Sequence, residues 1–393
     1  MTNNQKLIYL DNAATTPLRS EVLEAMMPFL TEEFGNPSAQ FCPVAQFARA
    51  AIDNARVELA SCLNAKPDEI FFTSGGTESD NWAIKGVAFA NKFGATAQKN
   101  HIITTTIEHH AVSHTCEYLS KMGFDITYLQ VDSEGLVNPD DLENAITDKT
   151  CLVTIIHANN EIGTVQDIKK LAEIAHKHDV IFHTDSVQST GHLPIDVKDL
   201  GVDLLSMSGH KFRGPKGTGV LYVKKGTKLH NFAHGGAQEN NKRAGTENVP
   251  GIVGISKALC LALEELPEES KRLTKLRDYL IETILKRIPG SHLNGHLTQR
   301  LPNNVNVRFD NIEGESILLL LSTRGICASS GSACASASLD PSHVLLAIGL
   351  PHEKAHGSLR LSLGDSTTKE DIDYTIDSLC EIVEKLRYMS PIK

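Results

Sequence analysis

The residues able to do chemistry fall in a few short stretches. One thiol, Cys334, stands in "SSGSACASAS", a run of small residues that cannot hold it as an ordinary packed core cysteine. "SMSGHKFRGPKGTG" closes an apolar run with Ser208, Gly209, His210 and Lys211. A lysine at that place can form a Schiff base once its amine loses a proton, and Lys216 in the same turn competes for the role. Asp185 ends another apolar run in "FHTDSVQSTG", with Gln188 just after it. In "IFFTSGGTESDNWAIKG" a strand-like run meets Ser74, Gly75, Gly76 and Thr77 at the head of a helix. Free N–H groups and the helix dipole there suit a phosphate, although a plain capped helix uses the same residue types. "TIEHHAVSH" holds His109, with His110 and His114 at helical spacing, but the spacing supplies no third ligand, so no metal is expected.

Taken together these are an anion cradle, a strand-end acid, a strand-end lysine, an imidazole ring and a thiol with room to move. Pyridoxal 5'-phosphate needs that set. Its phosphate suits a helix N-terminus, its aldehyde takes a lysine, and a carboxylate holds the proton on its pyridine nitrogen, which makes the ring an electron sink.

Such residues must be set at the ends of strands. "HIITTT", "DITYLQV", "CLVTIIHAN", "VIFHTDSV", "VDLLSMSG" and "TGVLYV" are short and rich in β-branched residues, as buried strands are. Helical patterns such as "DIKKLAEIAHKHD" lie between them, which predicts an α/β domain with a largely parallel sheet. The last third changes character. "KRLTKLRDYLIETILKRI" predicts a long amphipathic helix, "NVNVRF" a strand, and "DIDYTIDSLCEIVEKLRYM" a helix with Ile372, Ile376, Leu379, Val383 and Leu386 on one face. A smaller α+β domain is therefore expected from near residue 260.

Composition bounds the function. The chain has 393 residues, 41% hydrophobic and 22% charged, enough for a full core. A formal charge of -10 and a pI of about 5.9 argue against a general nucleic-acid or anionic-membrane binder. The eight cysteines are scattered and form no CxxC pair, so neither a disulfide framework nor a zinc site is expected. The N-terminus shows no leader pattern, and no apolar run approaches the roughly 20 residues of a membrane span. A soluble, cytoplasmic protein is expected.

The sequence resembles the cysteine desulfurases of the NifS/IscS type, in the class V aminotransferase group of fold-type I pyridoxal phosphate enzymes. "YLDNAATTP", "TSGGTESDN", "HANNEIGTVQDI", "HTDSVQSTG", "SGHKFRGPKGTG", "RAGTENV", "SSGSACAS" and "SLRLSLG" occur in family order along nearly the whole chain. The resemblance implies a large α/β domain over residues 16–260 and a small α+β domain over 1–15 plus 261–393. It implies that Lys211 carries the cofactor, that Asp185 pairs with the pyridine N–H and that Gln188 bonds the phenolic oxygen. His109 is implied to stack on the ring and to move protons. Gly76, Thr77, Ser208 and His210 hold the phosphate, with Thr246 of a neighbouring subunit in a homodimer. Asn160 and Arg360 bind the substrate carboxylate, a guanidinium matching it through two parallel hydrogen bonds, and Asn36 lines the same pocket. The reaction so implied takes L-cysteine to L-alanine and leaves a persulfide on Cys334. That sulfur is handed to an acceptor protein such as an iron–sulfur scaffold, which explains a loop of Ser, Gly and Ala around the thiol. Cys327, at the end of a strand-like run, is the rival thiol and reads as buried.

The "SSGSAC" loop resembles the group with the longer mobile loop, which hands sulfur directly to scaffolds. "NPSAQFCPV" departs from the family pattern, with Phe41 and Val44 where histidine and glycine often stand. A selenocysteine lyase or an aminotransferase of the same fold is the alternative enzyme. A non-catalytic carrier would have lost Lys211 or Cys334.

Overall fold

Each of the six apolar runs forms a strand: His101–Thr105, Asp125–Leu129, Thr150–Thr154, Ile181–Asp185, Leu204–Ser208 and Gly219–Val223. These come from a computed structural model that describes residues 6–39, 41–94, 99–330 and 341–389. With Ile70–Thr73 they make a seven-stranded sheet. Its order runs from Ile70–Thr73 through Gly219–Val223, Leu204–Ser208, Ile181–Asp185, Thr150–Thr154 and His101–Thr105 to Asp125–Leu129. Gly219–Val223 runs antiparallel to both neighbours, and the other pairings are parallel.

Successive side chains point to opposite faces of a strand, and helices cover both faces here. Val153, Phe182, Leu205 and Val220 enter one core with Ile52, Leu59 and Ile255. Leu152, Leu204 and Leu221 enter the other with Trp82, Val112 and Leu119. Burial on both faces is why the strands read as continuous apolar runs rather than as alternating ones. Asp125–Leu129, at the sheet edge, is the one with an exposed start.

A second assembly packs a three-stranded antiparallel sheet, Ser291–Leu293, Asn304–Phe309 and Ser358–Ser362, against helices. Its core joins Leu280, Ile284, Val305, Val307, Leu359, Leu361, Ile376 and Leu379. The helix Lys369–Met389 buries Ile372, Ile376, Leu379 and Val383, the face its periodicity predicts, and Leu386 packs beside them. The N-terminal strand Ile8–Tyr9 pairs in parallel with Ile326–Cys327, and Ile8 and Leu10 join this core.

One helix, Val249–Arg287, serves both assemblies and runs straight through residue 260. Pro267 lies inside it, where the missing N–H and the ring would ordinarily break a helix. Burial on both sides of the proline holds it together. Ile252, Ile255 and Leu259 sit in the first core, and Leu273, Leu280 and Ile284 in the second. Among the described residues no helix is long and apolar enough to cross a membrane.

Candidate active site

The ends of the parallel strands open into a cavity of about 310 Å³. Asp185 is the last residue of Ile181–Asp185 and is 3% exposed. One of its carboxylate oxygens accepts the Val187 N–H at 2.9 Å. Burial raises its pKa to about 6, against the lowering pull of the Val187 N–H and the Lys211 charge. Lys211 closes the short turn Gly209–Lys211 that follows Leu204–Ser208. Its Nζ donates to the carbonyls of Ala13 at 2.6 Å and Ala14 at 2.8 Å. Gln188 Nε2 donates to the same Ala13 carbonyl at 3.0 Å. The N-terminal strap is thus drawn across the lysine turn and forms part of the wall.

His109 caps the helix His110–Lys121, its Nδ1 accepting the Ala111 N–H at 3.1 Å. Burial, and then the Lys211 charge and the neighbouring histidines, lower its pKa to about 4. The ring is therefore neutral at pH 7. A neutral imidazole carries one proton, so with Nδ1 accepting, that proton sits on Nε2. Ser208 and His210 line the cavity, and His210 Nδ1 lies 3.1 Å from Thr15 Oγ1.

The helix Gly76–Phe93 starts at the wall with Gly75 as its cap, at φ 153°. A glycine has no side chain to satisfy the first N–H groups, which leaves those of Gly76 and Thr77 for a ligand. Gly76 has no room for a methyl group, since a Cβ there would lie 2.6 Å from Val187 Cγ2.

Arg360, in the strand Ser358–Ser362, is 2% exposed. Its Nη1 donates to the Asn160 carbonyl and its Nη2 to Asp11 Oδ1, both at 2.9 Å. The second sheet thereby delivers a guanidinium to the same cavity, and Asn160 lines it too.

Two expected residues lie elsewhere in this chain. Asn36 is exposed and its Oδ1 accepts the Ser38 N–H, closing a local turn away from the cavity wall. Its loop is packed down at Gly35, where a Cβ would be 2.4 Å from the Val44 backbone. Thr246 is exposed and borders a separate recess of about 190 Å³ with Arg243 and Glu247. Cys334 lies outside the described residues. Cys327 ends the short strand Ile326–Cys327, and burial pushes its thiol pKa up.

The structure adds residues that the sequence reading did not single out. Asp80 lies at the cavity, fully buried, with its Oδ1 lacking a hydrogen-bond partner; burial and then the Asp185 charge hold its pKa well above the usual range. Buried Glu161 accepts the Ser342 hydroxyl, and His343 Nε2 donates to the Glu108 carbonyl at 2.9 Å. Ser329 exchanges backbone hydrogen bonds with Arg360 at 3.1 and 2.6 Å. The only sequence signal for Asp11, Ala13 and Ala14 was the "YLDNAATTP" motif itself.

Pyridoxal phosphate fits these residues. The N–H groups of a helix start capped only by glycine suit a phosphate. A buried carboxyl held at a raised pKa calls for a charged N–H partner such as a pyridinium. A lysine amine and a neutral ring share the same wall.

Comparison with known proteins agrees. The class V aminotransferase family profile matches residues 8–375. The chain is 59% identical over 392 residues to "Cysteine desulfurase IscS" of Methanosarcina thermophila, covering 100% of this chain and 96% of that one. It is 49% identical over 387 residues to "Cysteine desulfurase" of Nostoc sp., covering 98% and 95%. Among solved structures, a NifS-like protein superposes with a TM-score of 0.90 at 40% identity, over 97% of this chain and 100% of that one. A protein described as SspA in complex with cysteine gives 0.80 at 42%, over 91% and 98%. By sequence, fold and cavity chemistry, the chain belongs to the pyridoxal phosphate-dependent class V aminotransferase family.

Proposed function

We propose that the chain is a cysteine desulfurase that converts L-cysteine to L-alanine, takes the sulfur as a persulfide on Cys334 and passes it to acceptor proteins, an iron–sulfur scaffold among them. One observation carries this reading. Lys211, Asp185, His109 and Arg360 converge on one cavity, and both flanks of the segment that holds Cys334 are bonded at its wall, Ser329 to Arg360 and Ser342 to Glu161.

Lys211 would hold pyridoxal phosphate through its amine, Asp185 its pyridine nitrogen and Gln188 its phenolic oxygen. Gly76, Thr77, Ser208 and His210 would hold its phosphate, and His109 would stack on its ring. When bound, the cofactor supplies an electron sink for the negative charge that develops at the substrate α-carbon. Lys211 Nζ takes the α-proton. Arg360 and Asn160 bind the substrate carboxylate, with Asp11 fixing the plane of the guanidinium. His109 presents Nε2–H, so it acts as a donor in the cavity rather than as a base at that atom. The Cys334 thiolate attacks the substrate sulfur. The new S–S bond forms as the substrate C–S bond breaks, and the C–S electron pair passes to the β-carbon. Protons added to the β-carbon and returned to the α-carbon complete alanine.

The same reading assigns residues 16–260 to a large domain and 1–15 plus 261–393 to a small one, a division supported by the two separate cores. It makes the protein a cytoplasmic homodimer. Thr246 is exposed and does not line its own cavity, as expected of a residue serving a neighbouring subunit. The acidic net charge supports a small-molecule and protein partner set without nucleic acid or membrane.

The test is simultaneous measurement of alanine and sulfide from L-cysteine with a thiol reductant, in native protein and Cys334→Ala. Equal amounts are expected from native protein, and loss of both from the variant despite retained yellow cofactor. No alanine from loaded native protein would refute the reading and turn attention to selenocysteine and amino-group acceptors.

A further inference from the structure

Two cysteines far apart in sequence meet on the side of the large domain. Cys62 is the last residue of the helix Pro43–Cys62, and Cys260 lies within Val249–Arg287. Their Sγ atoms are 3.3 Å apart, and both residues are partly accessible. The seam between the helices is largely apolar, with a polar contact a turn away from Cys260. Ser256, one turn before Cys260, donates to the Ala55 carbonyl at 3.2 Å and to Glu58 at 2.8 Å. Neither thiol has a part in the proposed desulfuration.

We propose that Cys62 and Cys260 form a dithiol site that exchanges with small-molecule disulfides and closes into an intramolecular disulfide bridging the two helices. A disulfide needs an S–S distance of about 2.05 Å, so the sulfurs must close by a little over 1 Å. Small side-chain rotations at the two cysteines, with least backbone cost at the helix end that carries Cys62, cover that distance. That helix stops there, and Asn64 two residues on adopts a left-handed φ of 57°. Cys62 is the last helical residue, followed by a cap in which the Leu63 N–H bonds the Leu59 carbonyl and the Ala65 N–H the Ala60 carbonyl, whereas Cys260 has helical turns on both sides.

The chemistry assigns each sulfur a role. Either sulfur can donate across the 3.3 Å contact. The contact with Cys62, and then Lys257, favour a thiolate at Cys260 against burial and the Glu58 charge. Cys260 attacks one sulfur of a disulfide RSSR, forming a Cys260–SR mixed disulfide and releasing one thiolate RS⁻. Cys62 loses its proton to solvent and attacks the Cys260 sulfur, releasing the second RS⁻. Two protein thiols are oxidised, and one small disulfide is reduced to two thiols. The product staples Pro43–Cys62 to the helix whose other face, at Ala258 and Ala262, backs Gly214 and Gly191 beside the Lys211 turn.

The test uses reduced, cofactor-loaded, full-length protein and oxidised glutathione as the disulfide. After blocking free thiols, digestion and mass spectrometry should find a peptide linking residues 62 and 260, lost on reduction. In Cys62→Ser, Cys260 should instead carry glutathione. The melting midpoint of native protein should rise by a few degrees on oxidation, as loop-closing disulfides do, and that of the Cys62→Ser/Cys260→Ser protein should not. Finding both cysteines blocked as free thiols while glutathione has modified other cysteines would overturn the proposal. So would finding each only as a separate mixed disulfide. The native-protein mapping decides the matter even where a variant folds poorly, and it does not depend on desulfurase activity.

Discussion

Replacing Asp185 by asparagine should make the cofactor-free protein more stable and the loaded protein inactive. The carboxyl is buried at the end of its strand, and burial moves its pKa from 3.8 to about 6. The folded protein therefore binds this proton more tightly than the unfolded chain does, and folding becomes less favourable as pH rises through the interval from about 4 to about 6. At about 1.4 kcal/mol per pH unit, the ionised carboxylate costs the cofactor-free protein at most about 3 kcal/mol above that interval. Below it both states are protonated and the cost vanishes. Asparagine keeps the shape and the acceptor for the Val187 N–H but carries no charge. Its buried amide returns part of the gain, leaving a net stabilisation of about 1–2 kcal/mol near neutral pH. Urea unfolding of both cofactor-free proteins, at one concentration and at a series of pH values, measures it. The difference should be present at pH 7.5 and fade toward pH 4. The asparagine variant should also lose cofactor on dialysis, because its amide cannot neutralise a pyridinium. A variant that is no more stable at pH 7.5, with an unchanged slope across the acidic interval, would refute the reasoning.

Two further outcomes follow from the cavity wall. Gly76→Ala places a Cβ 2.6 Å from Val187 Cγ2. Overpacking of this kind costs about 1–3 kcal/mol, so cofactor affinity, measured by absorbance titration, should fall by about 10- to 100-fold, and adding Val187→Ala should recover much of it. Nitrogen NMR of labelled histidine should find His109 neutral at pH 6, with its proton on Nε2; a charged ring, or a proton on Nδ1, would contradict its bond to the Ala111 N–H.

The sequence by itself determined the parts of this protein that depend on local pattern. Short β-branched runs are buried on both faces of a parallel sheet, so Ile102, Leu152, Phe182, Leu204 and Leu221 announced their strands without a partner being known. Asp185 and Lys211 were legible for the same reason: each follows such a run directly, and strand ends are where an α/β sheet binds ligands. Tertiary structure alone decided what depends on contacts between distant segments. The strap at Ala13 and Ala14 reaches Lys211 only because Ile8–Tyr9 pairs with Ile326–Cys327 in the second assembly. Asp11 meets Arg360 across the same junction. Pro267 marks a break in any local reading, yet its helix continues because two cores grip it from either side. Asn36 carries a pocket-like motif, but in this chain it is exposed and its side chain closes a local turn by accepting the Ser38 N–H. Cys62 and Cys260 give no local sign of each other, and only the seam between two helices brings their sulfurs together. Propensity and period act over a few residues, whereas register, helix crossing and burial are settled by the whole chain at once.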